Sequence, residues 1–473
     1  MSETSSNTIS SIFFPFKTIW LQIKSEAKSG YFYLRFEVPI AGLVFMLLII
    51  WELGLVFSPI AGGHAWRQSS TASVAHNFVL ESANLFYPRI DWRMEFSGIT
   101  GMEFPLYQYF TSLFFYLVPT YFDWPGKIIS LLFSLMLLRD MILAYKSIPP
   151  VYIFSCYFLI TEVLLLSSRF MPEIFALFFA YKGWRSFESK NYLASLIFYS
   201  LGVLCRPYLV FLCLPLLWEF IENLFKKHKV EFKTLGIGIT ILFVLYLWYL
   251  NWSEYLRLNF GISDRFYGGD YMNFFYNLMD PINYLTFVEV FQNSYVNLIL
   301  IPFFFIGIYN YFDLKKIIIF MLTIVGVIGG TGSHMSPHSY YLVAFIPILT
   351  YFLASGFYHF SLYKTVSILL LISLVINWYH FRPQFDVYEK LSVIRTELNR
   401  LEKNEGLAIV ESGSSPHHLH ILRVRGWIAN STKIRELSYV EELENKGAKY
   451  VYPLRNNHFE KYPIHEWIKL INK

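Results

Sequence analysis

A succession of apolar runs, each close to the length that crosses a bilayer, constrains this chain more than any other feature. A membrane helix needs roughly 20 apolar residues. Runs of that kind recur at about 36–57, 126–145, 150–168, 170–186, 192–205, 207–224, 233–251, 295–312, 315–331, 339–359 and 364–381. The charge content agrees: 15% of the 473 residues are charged, against about 25% in a soluble domain. The 47 phenylalanines and 35 tyrosines suit a protein with much lipid-facing and interfacial surface. A net charge of +5 spread over short loops offers no basic face for nucleic acid. Cys156, Cys205 and Cys213 all lie in apolar runs, so neither a disulfide framework nor a zinc spacing is expected. Residues 1–35 are partly polar and the run behind them carries no small-residue cleavage pattern, so that run is expected to be a retained helix.

A further run at 105–119 is short and rich in tyrosine, and the positive-inside rule decides whether it crosses. Lys17, Lys24 and Lys28 assign residues 1–35 to the cytoplasm, which leaves 58–104 outside. Lys226, Lys227, Lys229 and Lys233 should lie inside, as should Lys315 and Lys316 and the set Lys182, Arg185 and Lys190. If 105–119 crosses, the cluster at 226–233 lands outside. If it lies in the interface as a juxtamembrane helix, every basic cluster falls inside. The expectation is therefore an all-α polytopic membrane protein with about 11 crossings. The loop 58–104, Arg169, Arg206, the loop 252–294, the turn 330–338 and everything after 382 would then share the outer face.

From about 382 onward the pattern changes. EKLSVIRTELNRLEKNE alternates charge at helical spacing, LAIVES and KYVYP read as short buried strands, and SYVEELENKGA reads as a helix capped at Gly447. Three parts are expected: residues 1–35 as a cytoplasmic segment, 36–381 as the membrane domain, and 382–473 as a small α/β domain outside the membrane.

Chemistry-bearing residues gather in the long first loop, 58–104. Asp91 and Glu103 are its leading carboxylates. Either could be a general base for a hydroxyl attack, or a loop carboxylate paired with Arg89 or Arg93. His64 could be a base or a metal ligand, or simply a hydrogen-bonded loop histidine. Arg67, Arg169 and Arg206 could grip a phosphate through forked hydrogen bonds, or snorkel to headgroups. Glu173, four residues after Arg169, reads as an intrahelical partner for it. His334, His338, Tyr340 and Tyr341 cluster at the outer end of the run 339–359, beside the small residues of GTGS. Phe266, Tyr267 and Tyr271 could stack on sugar faces or sit in the interfacial belt. A divalent ion is left open, since acidic and histidine side chains are present with no spacing that compels a site. Neither a glycine-rich phosphate loop nor a nucleophile elbow is found.

The arrangement resembles the GT-C superfamily of membrane glycosyltransferases, and within it the branch of protein O-mannosyltransferases and aminoarabinose transferases (glycosyltransferase family 39). The resemblance rests on the long first outer loop, with HAWRQSSTASVAHNF, FYPRIDW and MEFPLYQYF, and then on SRFMPE, CRPY and HSYYL in that order. It implies transfer of a sugar from a polyprenyl-phosphate carrier to a lipid, glycan or protein acceptor on the outer side of the membrane. On that basis Asp91, Glu103 and His64 are the candidates for catalysis, and Arg67, Arg169, Arg206, His338 and Tyr341 for the donor phosphate. The sequence also departs from the pattern. Arg67 and Gln68 stand where many relatives have an acidic pair, Ser70 where related W-R-Q loops carry an aspartate, and Glu103-Phe104-Pro105 where aminoarabinose transferases place a lysine before two prolines. The rival readings are a ligase or polymerase acting on a polyprenyl-diphosphate glycan, a lipid or glycan transporter, and a silent scaffold for envelope assembly.

Overall fold

The computed structural model describes residues 34–60, 62–117, 123–227, 232–260, 273–336, 338–362, 365–377, 406–413, 415–455 and 458–472. Lys17, Lys24, Lys28, Lys229, Phe266, Tyr267, Tyr271 and the helical pattern of 389–405 lie outside the described residues.

Apolar runs become helices because a helix satisfies its own backbone in lipid. The first is α1, Leu34–Phe57. Its last carbonyls meet the Lys127 ammonium, which donates to Leu55 O at 3.0 Å and Ser58 O at 2.7 Å. A cation there complements the negative end of the helix dipole. The chain then turns into α2, Ala65–Leu80, followed by an irregular stretch and α3, Leu106–Leu117. Twelve helical residues reach only about 18 Å, short of the roughly 30 Å of a hydrocarbon core.

Next come α4, Trp124–Ala144, and the pair α5, Pro150–Leu159, and α6, Thr161–Ser167, which meet at an angle of 83°. Two further helices, α7 at Glu173–Glu188 and α8 at Tyr192–Cys205, pack along one another. Among the described residues four helical segments are long and apolar enough to cross a membrane: Pro207–Phe225, Phe232–Asn259, Leu314–Met335 and Ser339–His359. Counting the bent pair as one span makes five, and shorter apolar helices include Ile301–Asn310 and Thr365–Asn377. The runs read from the sequence are thus largely helical where they are described, with non-helical stretches at 170–172 and 296–300, and many of the helices are shorter than a full span.

The helices Ile301–Asn310 and Ile346–His359 approach backbone to backbone. A Cβ on Gly307 would sit 1.9 Å from Phe352 O, and one on Gly356 1.9 Å from Phe303 O. Small residues at such a crossing let dispersion contacts form where lipid gives no hydrophobic drive.

Residues 406–472 build a four-stranded sheet from β1 (Leu407–Glu411), β2 (Arg425–Ala429), β3 (Ala448–Tyr452) and β6 (Tyr462–Pro463), in the order β2-β1-β3-β6. The first three are parallel and β6 runs antiparallel at the edge. The short strands β4 (Leu454–Arg455) and β5 (His458–Phe459) form a separate hairpin. Helix Leu437–Asn445 carries the crossover from β2 to β3 and ends beside Gly447, whose φ of +99° suits glycine.

Read as a loop, 58–104 in fact contains a helix of 16 residues, α2. Helix α2 is polar yet buried from Arg67 to Phe78. Its partners lie far away in sequence, so no local apolar stripe announces it.

Replacing Gly307 with valine should therefore drive a side chain into the Phe352 carbonyl. We expect a loss of about 1–3 kcal/mol, visible as a lower melting temperature in detergent. An unchanged melting temperature would show that the two helices can separate at no cost.

Candidate active site

Two helix breaks and the start of α2 bring the charged side chains together. Pro207 disfavours helical geometry at the residue before it. Arg206 accordingly ends α8 in an extended conformation, with φ −147° and ψ 100°. Likewise α7 begins only at Glu173, after Pro172. Arg169 and Glu173 therefore do not share a helix, and the expected intrahelical pair is not made. Glu173 pairs instead with the Arg206 guanidinium.

The result is an alternating set of four buried groups. Arg67 Nη2 donates to Glu103 Oε1 at 2.6 Å, and Arg206 Nη1 lies 3.6 Å from Glu103 Oε2. Gln108 Nε2 donates to the same Glu103 Oε1 at 3.1 Å. The four charged side chains are between 0% and 6% exposed. Burial works against the charge of Glu103, but Arg67 and Arg206 outweigh it and hold the carboxyl below the ordinary carboxylate range.

Three of the four, Arg67, Glu103 and Arg206, line a cavity of about 540 Å³, and Glu173 does not. Arg67, Glu103, Arg206, His338 and Tyr341 all line it. Apolar side chains make up much of the rest of the lining, among them Phe211, Leu242, Leu245 and Leu250. His338 Nδ1 is 3.2 Å from the Tyr340 hydroxyl, and Tyr341 stands edge-on to Tyr208 with ring centroids 5.4 Å apart.

His64 and Arg169 adjoin this cavity without lining it. His64 packs edge-on against Tyr340 at 5.1 Å. A Cβ on Gly63 would lie 3.1 Å from Arg169 Nη2. Gln68 fastens these two stretches: its Nε2 donates to Gly63 O at 3.3 Å and its Oε1 accepts from Phe170 N at 3.2 Å. Burial, helped by Arg169 and His338, pushes the His64 imidazole down to about 3. Burial and Arg67 also lower His338. Both rings are therefore neutral at physiological pH.

Asp91, the first of the expected bases, does not line this cavity. Its Oδ1 accepts from Asn77 Nδ2 at 3.0 Å, and its carbonyl accepts from Gly426 N at 3.1 Å. Met94 N donates back to Gly426 O at 3.0 Å, so residues 91–94 line up along the edge strand β2. Arg89 and Arg93, offered as partners for Asp91 or Glu103, both pair with Glu81, as does Arg425. Asp91 thus belongs to a seam between the first loop and the sheet. As for the open question of a metal, no group of three or more His, Cys, Asp or Glu side chains converges among the described residues.

Sequence reading missed Gln108, Gln68 and the pairing of Glu173 with Arg206. It also missed a second buried cluster, in which His420 Nε2 donates to Asp123 Oδ1 at 2.9 Å and Arg423 Nη1 donates to His76 Nδ1 at 2.6 Å.

The fold and site together describe a polytopic membrane protein with an arginine-walled, half-apolar cavity. No protein-family model matches the chain, and no curated protein matches it by sequence. Its fold is similar to the crystal structure of ArnT from Cupriavidus metallidurans bound to undecaprenyl phosphate. That match has a TM-score of 0.55 and 10% identity, and covers 86% of this chain and 88% of that one. The apo form of the same protein gives a TM-score of 0.55 at 9% identity, covering 82% and 85%. The likeness is one of fold, and it extends over most of both chains.

Removing one member of a buried ion set leaves an uncompensated charge. We expect Arg206→Met to cost about 3–5 kcal/mol, read as a lower melting temperature in detergent. Most of that loss should return in the double variant Arg206→Met/Glu173→Leu. If the double variant is no more stable than the single, Glu173 does not depend on Arg206 for its charge balance.

Proposed function

We propose that the protein is an integral membrane glycosyltransferase. It moves a sugar from a polyprenyl-phosphate carrier to a lipid, glycan or protein acceptor on the outer side of the membrane. The observation that carries this reading is the mixed lining of the cavity. Arg67 and Arg206 share it with apolar side chains, Phe211 and Leu242 among them. A phosphate with a long hydrocarbon tail needs both at once. The likeness in fold to ArnT, a structure of which holds undecaprenyl phosphate, supports the same reading.

The chemistry asks little of the protein. A phosphate leaves with the bonding electrons and needs only cations to spread its charge. Arg67 and Arg206 are assigned to that task, with Arg169 beside them and His338 and Tyr341 completing the pocket. The acceptor hydroxyl needs one base, and Glu103 is the cavity carboxylate suited to it. Glycoside hydrolases, by contrast, use a second carboxyl to protonate a poor leaving group. Asp91 takes a positioning role in this scheme. The sidedness follows from the distribution of lysines and arginines: the cavity faces outward, and residues 406–472 lie on the same side.

Arg67→Met should lower sugar transfer from a polyprenyl-phosphate donor by about 100- to 1,000-fold, as loss of one preorganised charge donor typically does. The measurement is transfer of a radiolabelled sugar by the purified full-length protein in liposomes. Wild-type protein that moves no sugar from any polyprenyl-monophosphate donor, yet uses a diphosphate-linked one, would overturn the proposed donor class.

A further inference from the structure

Glu103 is held in a way that a general base should not be. Both of its oxygens face guanidiniums, Arg67 at 2.6 Å and Arg206 at 3.6 Å, and Gln108 adds a third donor at 3.1 Å. A carboxylate so engaged has little appetite for a proton. The two arginines are equally engaged, because Arg206 also faces Glu173. Two cations thus meet two anions, and the set of four carries no net charge.

The two carboxylates differ in one respect. Glu103 lines the cavity together with Arg67 and Arg206. Glu173 is 0% exposed, sits behind Arg206 and does not reach the lining. An anion that enters the cavity can therefore compete with Glu103 for the guanidiniums, but not with Glu173.

We propose that Glu103 is a gate displaced by the donor. In the empty site it occupies Arg67 and Arg206, and the phosphate of an incoming lipid carrier takes those guanidiniums from it. The displaced carboxylate then becomes available as the base. This rests on the carrier-dependent reading above and adds to it a link between donor binding and base activation. Once the gate is displaced, the acceptor oxygen forms a bond to the anomeric carbon. The bond from that carbon to the phosphate oxygen breaks, its electron pair leaving on the phosphate between Arg67 and Arg206. The acceptor's proton passes to Glu103. When the carrier phosphate departs, the arginines reclaim the carboxylate and its proton goes to water. An unloaded site therefore holds no free base, and Glu173 keeps Arg206 in position throughout.

The test measures affinity and turnover together, in the full-length protein purified in detergent. The probe is undecaprenyl phosphate, titrated by calorimetry, alongside transfer of a labelled sugar. Glu103→Gln removes the competitor, so it should bind the carrier at least about tenfold more tightly. The same variant should lose about 100-fold or more in transfer, the usual contribution of a general base. Glu173→Gln should weaken carrier binding, because Arg206 loses its anchor. A merely structural Glu103 would weaken both binding and transfer, so unchanged or looser binding by folded Glu103→Gln overturns the gate. Should that variant fail to fold, Glu103→Asp draws the charge back by one methylene and reads the same competition: tighter binding supports the gate and unchanged or looser binding overturns it. Wild-type protein that does not bind undecaprenyl phosphate at all would overturn the carrier reading itself, an outcome distinct from a carrier that binds without displacing Glu103.

Discussion

Everything around the cavity depends on the buried alternation Arg67, Glu103, Arg206, Glu173. Charges this deep are costly to desolvate and are tolerated only when each meets its opposite. The four come from four separate places: the first turn of α2, the end of the first loop, the break after α8 and the start of α7. Their pairing therefore fixes where those segments meet, and with that the shape of the cavity wall. Replacing such a set with apolar residues of similar size often costs no stability. Its presence here is better explained by what the arginines and carboxylates do than by what they add to folding.

A second constraint acts on α2 from its far end. The helix offers Arg67 to the cavity at one end and His76 and Asn77 to the sheet at the other. Arg423 reaches His76, Arg425 reaches Asn77 and Glu81, and Gly426 exchanges backbone hydrogen bonds with Asp91 and Met94. Trp92 and Met94 pack against the two apolar clusters of the sheet. A polar helix can be buried only if its side chains find partners, and Arg423 and Arg425 supply them for His76 and Asn77. The sheet is accordingly part of the scaffold that holds Arg67, and the position of Asp91 in the seam follows from that.

Much of this was legible in the sequence, and the rest was hidden for a definable reason. Apolar runs, β1, β3 and the cap at Gly447 are local patterns, and the structure contains them. The breaks at Arg206 and Arg169 were visible as arginines between two apolar runs with a proline close behind. Arg67, Glu103, Arg206, His338 and Tyr341 were gathered on chemical type and on the resemblance in motifs, and they line one cavity. Asp91 shared their chemistry and their loop, yet its backbone partner is Gly426. A pairing across that sequence distance leaves no trace in spacing. The same holds for α2, whose polar residues looked like a loop because their partners, Arg423 and Arg425 among them, lie in another part of the chain. Pairing of Glu173 with Arg206 rather than Arg169 required knowing where α7 begins, and helix starts are the least certain part of any sequence reading.

Charge balance in the cavity wall also bears on selectivity. A pocket with surplus positive charge would draw in any small anion, since Coulomb attraction in a low-dielectric site does not distinguish phosphate from chloride. Here Glu103 already satisfies the exposed side of Arg67 and Arg206. An entering anion gains only the difference between its own hydrogen bonds and those of the carboxylate it displaces. Inorganic phosphate has little beyond that exchange to stabilise it. Under the proposed reading, a carrier lipid also buries its chain along Phe211, Leu242, Leu245 and Leu250, at about 25 cal/mol per Å² of apolar surface removed from water. Selection for a lipid-linked phosphate over a free one then comes from the apolar lining, and the carboxylate already on the guanidiniums is what keeps free anions from binding first.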